Sequence, residues 1–216
     1  LVLPLVLRLV MYHGLHVSAQ HSDRPYPMMM NVPGLKIIVP STPYDMKGML
    51  KTAIRDDNPV LCFEDSACWS MKEEIPDEEY LVPIGKAAIR REGSDVTVLA
   101  IAGMTRHAIA AADELAGEGV SVEVIDPRSL VPFDKETLLD SVRKTGRLVV
   151  VDPANRTCGA AAEISAIVAE EGFWDLRAPI MRVTTPDIHV PYSPPLEAEL
   201  YPDKRKIAEA IRQTLA

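Results

Sequence analysis

"DVTVLAIAGMTRHAIAAADELAGEGVSVEVID" (residues 95–126) decides the fold. Its first part, "DVTVLAIA" (95–102), is a near-continuous apolar run, as a parallel strand buried on both faces requires. "MTRHAIAAADELAGEG" (104–119) reads as a helix closed by glycines, and "VSVEVID" (120–126) is extended again. Strand, helix and strand in this order make a right-handed crossover between parallel neighbours.

The same alternation runs outward in both directions. Toward the C-terminus, "DKETLLDSVRKTG" (134–146) is a helix with Asp134 as cap, Arg143 and Lys144 in the last turn and Gly146 at the stop. "RLVVVD" (147–152) is a strand, "GAAAEISAIVAEEG" (159–172) a helix and "PIMRVTT" (179–185) a strand. "DKRKIAEAIRQTLA" (203–216) closes as a helix with Ile207, Ile211 and Leu215 on one face. Toward the N-terminus, "LKIIVP" (35–40) and "NPVLCFE" (58–64) are strands. Between them Thr42 is placed as N-cap and Pro43 at the first helical position of a helix reaching about Arg55. Residues 66–86 are acidic, contain "SMKEEIPDEEYLVPIG" and show no period, which reads as a linker over the surface. The fold class is therefore α/β, with mostly parallel sheets covered by helices.

Composition excludes several functions. A net charge of −8 argues against a nucleic-acid groove, which needs a basic face. Three cysteines, Cys62, Cys68 and Cys158, form neither a disulfide framework nor a zinc knuckle, and read as reduced thiols of a cytoplasmic protein. The opening "LVLPLVLRLV" is interrupted by Pro4 and Arg8 and is too short to span a membrane. A chain that starts inside a strand-like run is expected to be the remainder of a longer polypeptide.

Ligands of open α/β sheets bind beyond the carboxyl ends of the strands. No strand end here carries GxGxxG or GxxxxGK[ST], so a dinucleotide or P-loop site is disfavoured. There is no GxSxG elbow either. Of the five histidines, His107 lies in a helix and His189 in a proline-rich loop, and both read as structural. His13 and His16 lie either side of Gly14 and are expected to be exposed. His21, in "AQHSDRP" (19–25), has polar neighbours on both sides and is the functional candidate.

"AQHS" followed by "PGLKIIVPSTPYDMKGMLKTAIRDDNPV" resembles the beta subunit of the thiamine-diphosphate-dependent 2-oxo acid dehydrogenases, the first components of the pyruvate, branched-chain and acetoin complexes. "PIGKA", "VEVIDPRSLVPFD", "SVRKTGRLVVVD", "LRAPIMRVTTPD" and "PYSPPLE" resemble the same family in the same order, from about Pro4 to the C-terminus. The resemblance implies three parts: the carboxyl end of a pyrimidine-binding domain (1–66), a linker (67–86) and a Rossmann-like transketolase C-terminal domain (87–216). It implies oxidative decarboxylation of a 2-oxo acid, or cleavage of an acetoin-like substrate, on thiamine diphosphate, with acyl transfer to lipoamide. His21 would be catalytic, holding the substrate carboxylate or passing a proton. The diphosphate and magnesium would sit on an alpha subunit, and the residues of this chain that bind the cofactor stay unassigned. Further partners would be a second beta subunit and dihydrolipoyl acyltransferase, with no nucleic acid and no membrane. A potassium ion would be held, mainly by backbone carbonyls, at Leu5, Ala53, Ile54, Asp56 and Asn58. The isolated chain is expected to be inactive. A second expectation stands beside this one: a non-catalytic assembly or docking module of transketolase type. The sequence departs from the family before His21, where "LVMYHGLHVS" replaces a glycine- and alanine-rich run, and at Asp23, often Gln.

Overall fold

Thr42 shows how closely local chemistry sets the elements. Its backbone is extended and its side chain accepts from the Asp45 N–H at 3.1 Å, with Pro43 following at the first helical position. A cap of this kind is worth about 0.5–2 kcal/mol. Asp134 and Asp203 cap their helices in the same way, accepting from Thr137 and Lys206. Gly146 ends its helix in the left-handed region at φ 73°, where a side chain would be strained.

The computed structural model describes residues 2–216; Leu1, the first residue of the opening apolar run, lies outside them. In chain order the first half contains β1 (Val6–Met11), α1 (Tyr26–Met30), β2 (Lys36–Ile38), α2 (Pro43–Ile54) and β3 (Val60–Asp65). The second begins with β4 (Ala88–Arg91), β5 (Val96–Ala100), α3 (Met104–Ala116), β6 (Val122–Asp126), β7 (Ser129–Val131) and α4 (Lys135–Thr145). It ends with β8 (Leu148–Asn155), α5 (Ala160–Glu171), β9 (Met181–Thr185), α6 (Pro194–Ala198) and α7 (Lys204–Leu215).

Two sheets result. The first has the order β1-β3-β2-β7 and the second β4-β6-β5-β8-β9. All neighbours are parallel except β7 against β2 and β4 against β6. Strands β5, β6 and β8 are buried along nearly their whole length, which explains their unbroken apolar runs. The face of α3 and α7 covers one side of the second sheet through Ala108, Leu115, Ile207 and Ile211. The largest core is shared: Met11, Tyr26 and Phe63 of the first half pack with Leu99, Ile125, Leu138 and Val150 of the second.

Two features depart from expectation. Residues 69–87 have no helix or strand, but they do not lie loosely in solvent. Val82 is buried and Tyr80 stacks on Tyr44 at 4.3 Å, so the linker seals α2. Strand β7 leaves the second half and pairs with β2 of the first sheet. Among the described residues no helix is long and apolar enough to cross a membrane.

Candidate functional site

Strand β1 delivers the chain to the carboxyl edge of the first sheet, and residues 12–25 form the loop beyond it. Ala19–His21 is a single 3-10 turn, and His16 and Ser18 stand at φ 57° and 67°. Positive φ in non-glycine residues needs support from outside the loop. Glu197 of α6 supplies it. Its carboxylate is 1% exposed and accepts the Gly14 N–H at 3.1 Å and the His16 N–H at 2.9 Å. His16 Nδ1 lies 2.7 Å from the same group, so Nδ1 carries the proton toward the carboxylate. Ser22 Oγ donates to Ser18 O at 2.6 Å and Ser66 Oγ accepts from the His13 N–H at 2.8 Å. The loop is therefore fixed by the C-terminal part of the chain.

His21 rides on this fixed loop and is exposed. Its ring meets Tyr12 edge-on at 6.3 Å, and Tyr12 meets Trp69 at 6.0 Å. His13 differs from its expectation. It stacks on the Tyr201 ring at 4.2 Å, and burial, aided by the Arg24 charge, lowers its pKa to about 3. It is thus a neutral packed ring, because α6 and the segment after it fold over it. His107 is likewise pushed down by burial, and Asp65 pushed up. Asp65 accepts the Ala67 and Gly103 N–H groups at 2.9 and 3.1 Å; a Cβ on Gly103 would come within 2.7 Å of it.

Arg24 is 8% exposed and lies over the Tyr201 ring, 4.6 Å from its centroid. It donates to Ser22 O and to Tyr201 Oη, while Nε and Nη2 find no partner. A cavity of about 280 Å³ opens beside it at the carboxyl ends of β8 and β9.

Of the five residues of the potassium expectation, Ala53, Ile54, Asp56 and Asn58 lie at or just beyond the end of α2, and Leu5 lies beside the start of β3. The Leu5 carbonyl accepts from Val60 at 2.8 Å and the Ala53 carbonyl from Asp56 at 3.2 Å. The Asp56 carboxylate accepts from Asn58 N and Nδ2 at 2.9 and 3.0 Å and pairs with the Lys36 ammonium. Partial burial works against that carboxylate, but Lys36 and Asn58 together hold its pKa below the ordinary value. Ile54 is exposed at the last helical position. Among the described residues no three His, Cys, Asp or Glu side chains gather as a metal-binding set.

Sequence reasoning singled out His21 and did not single out Glu197, His16 or Arg24. Glu197 lies 183 positions from Gly14, and "PYSPPLE" carries no local sign of what it reaches.

Comparison with known proteins gives the family. The model for the transketolase C-terminal domain matches residues 85–207, and that for the transketolase pyrimidine-binding domain matches residues 1–66. The chain is 44% identical over 98% of its length to the beta subunit of acetoin:2,6-dichlorophenolindophenol oxidoreductase from Bacillus subtilis (strain 168), covering 62% of that protein. It is 39% identical to the 2-oxoisovalerate dehydrogenase subunit beta and 38% identical to the pyruvate dehydrogenase E1 component subunit beta of the same organism. These matches take in 97% and 98% of this chain and 65% of each relative. The chain thus spans somewhat less than two thirds of the length of the curated relatives it matches. A solved structure described as a split-gene transketolase, inactive beta4 tetramer, superposes with a TM-score of 0.81 at 24% identity, over 97% of this chain and 66% of that one. With the C-terminal domain match alone covering more than half of its residues, the chain belongs to the transketolase family.

Proposed function

We propose that this chain is the carboxyl-terminal part of the beta subunit of a thiamine-diphosphate-dependent 2-oxo acid dehydrogenase or of its acetoin-cleaving counterpart. The observation that carries this reading is the exposed His21 imidazole on a loop clamped by the buried Glu197. Such a ring is held in place yet free to meet a ligand. That the relatives named above are beta subunits of such enzymes supports it further. Residues 1–66 would contribute to the pyrimidine-binding domain, 67–86 would link, and 87–216 would form the C-terminal domain.

Thiamine diphosphate, when bound, supplies a nucleophilic carbon for the substrate carbonyl and an electron sink as carbon dioxide leaves. His21, beside Tyr12, which in turn meets Trp69, fits the edge of such a site. Its imidazole would hold the substrate carboxylate or pass a proton during acyl transfer to lipoamide. No residue here is assigned to holding the diphosphate or magnesium, which would fall to an alpha subunit. A second beta subunit and dihydrolipoyl acyltransferase complete the proposed partners, in the cytoplasm. A potassium ion at the Leu5, Ala53, Ile54, Asp56 and Asn58 corner would bind through carbonyl oxygens, which keep a second lone pair free beside the bonds they already accept.

The test uses a beta subunit of the relatives' length carrying this sequence, with its alpha subunit. His21→Ala is expected to lower lipoamide-linked turnover by about 10²–10⁴-fold with the melting temperature unchanged. The 216-residue chain alone, given thiamine diphosphate and magnesium, is expected to show no turnover of pyruvate or branched 2-oxo acids. Wild-type turnover by the His21→Ala enzyme would remove the histidine from the mechanism. Turnover by the short chain would overturn the division of labour between subunits.

A further inference from the structure

We propose that the cavity at the carboxyl ends of β8 and β9 is a binding site for a small monocarboxylate bearing a hydroxyl or ammonium group, with Arg24 as its anchor. The cavity holds about 280 Å³, just below the range of about 300–1,000 Å³ usual for ligand pockets, which suits a small ligand. Its wall combines the His21 loop, through Ser22, Asp23 and Arg24, with Tyr201 and the segment after β9.

Three observations point to the ligand. First, Arg24 is more than nine-tenths buried, and no carboxylate lies within ion-pair distance of it among the described residues. A guanidinium cannot shed its proton, so its charge stays in the interior with no carboxylate bonded to it. Second, Nε and Nη2 are unpartnered while Nη1 is spent on Ser22 O and Tyr201 Oη. Two adjacent N–H groups match the two oxygens of a carboxylate, and a turn about the last bonds of the side chain would bring this closed-off edge to the cavity. Third, three other polar groups of the wall, Asn155, Thr185 and Asp187, are already engaged. Asn155 Nδ2 donates to Pro186 O at 2.7 Å and Thr185 Oγ1 to Pro153 O at 2.8 Å. Asp187 accepts from Thr157 N and Oγ1 at 2.9 and 2.7 Å.

The wall also sets the limit on charge. Beside the Arg24 guanidinium and the His189 imidazole, the carboxylates of Asp23 and Asp187 face the cavity. They repel a polyanion such as a nucleotide or a tricarboxylate. They favour a ligand whose second group donates hydrogen bonds. An occupant also lies against the loop that carries His21, and Tyr201 Oη, which Arg24 reaches at 3.3 Å, is 3.4 Å from Glu197 Oε1.

The experiment is calorimetric titration and thermal melting of the 216-residue chain with L-lactate, L-alanine, inorganic phosphate and sodium chloride at equal ionic strength. Saturable binding of lactate or alanine, one per chain, with a raised melting temperature, is expected. Arg24→Met is expected to weaken that binding at least tenfold and to melt at or above the unliganded wild type, since an unpaired buried charge is removed. Ile188→Trp, which fills the cavity from its exposed rim and leaves Arg24 in place, is expected to abolish binding and decides the matter if Arg24→Met does not fold. Binding of phosphate with neither carboxylate, no saturable binding beyond that of chloride, or binding unchanged in the variants would each overturn the proposal. No step of this test depends on catalytic activity, so its outcome is independent of the function proposed above.

Discussion

His13 and His21 share one loop, and folding treats them oppositely. His21 remains exposed, whereas His13 is packed on Tyr201 and held neutral, its pKa lowered to about 3 by burial and by Arg24. Arg106, His107 and Glu197 are the other charged or titratable groups that act on it. The folded pKa lies below the ordinary value of 6.5, so between pH 6.5 and 3 the unfolded chain binds the proton that the native ring refuses. The stability contributed by a neutral His13 is therefore intact above about pH 6.5 and lost as pH falls through that window. Buried Asp65, Asp126 and Asp152 have raised pKa values and work in the opposite sense, so the comparison must isolate the histidine. His13→Phe keeps a stacked ring without a titrating group. The unfolding free energy of wild type minus that of the variant is expected to fall with decreasing pH, by at most about 1.4 kcal/mol per unit. A difference that stays flat from pH 7 to 4 would show that the ring is not held neutral by folding. The contrast between the two histidines also shows what a sequence carries at this scale. The polar company of His21 is local and can be read directly. The ring that covers His13 is that of Tyr201, 188 positions away (201 − 13), which no local pattern announces.

At the scale of elements, the proposed potassium site would rest on the end of α2, where the helix stops at Ile54 and Pro59 keeps the chain extended into β3. Lys36 already sets a positive charge against Asp56 there, so an added ion would be held by carbonyls and not by the carboxylate. Potassium binding to the native state alone would raise stability by about 2.7 kcal/mol at a hundredfold excess over its dissociation constant. Melts in potassium, sodium and tetramethylammonium chloride at equal ionic strength separate such binding from screening. A higher melting temperature in potassium is expected; identical temperatures would leave Asp56 and Asn58 as a helix stop and nothing more. The long elements were legible in the sequence because burial on both faces or on one helical stripe leaves an unmistakable period, as in β5, α3, β6 and α7. Strands β4 and β7 were not. "AIRR" places two arginines in four residues, and "SLV" is three residues long; both are antiparallel additions whose pairing depends on a partner strand. Helices α1 and α6, five residues each, are too short to show a period.

Taken whole, the molecule locks its two sheets together with buried charge as well as apolar surface. Arg90 pairs with Asp45 at the start of α2 and with Asp126 at the end of β6, the latter at 2.7 Å. Arg128 reaches Asp45 at 2.8 Å, and Ser41 Oγ donates to Asp126 at 2.5 Å. Asp45 and Asp126 are fully buried. Tyr26 Oη donates to the equally buried Asp152, the Val39 N–H donates to Arg128 O at 2.8 Å, and β7 adds a strand from one half to the sheet of the other. A buried pair adds little net stability when compared with apolar packing, but removing one member strands the other at a cost of about 3–5 kcal/mol. Asp45→Ala, which leaves Arg128 without its carboxylate, is therefore expected to lower the stability of the chain by about 3 kcal/mol. The loss is expected to be global, because the main core runs through both halves. Two tryptophans make this measurable: Trp69 borders the first sheet and Trp174 follows α5 in the second. In single-tryptophan versions, Trp69→Phe and Trp174→Phe, urea unfolding followed by the remaining indole should give the same midpoint and slope in each background. With Asp45→Ala added, both midpoints should move down together. Separate midpoints for the two indoles, or a shift confined to Trp69, would mean that the halves fold independently and that the buried ion network merely touches both.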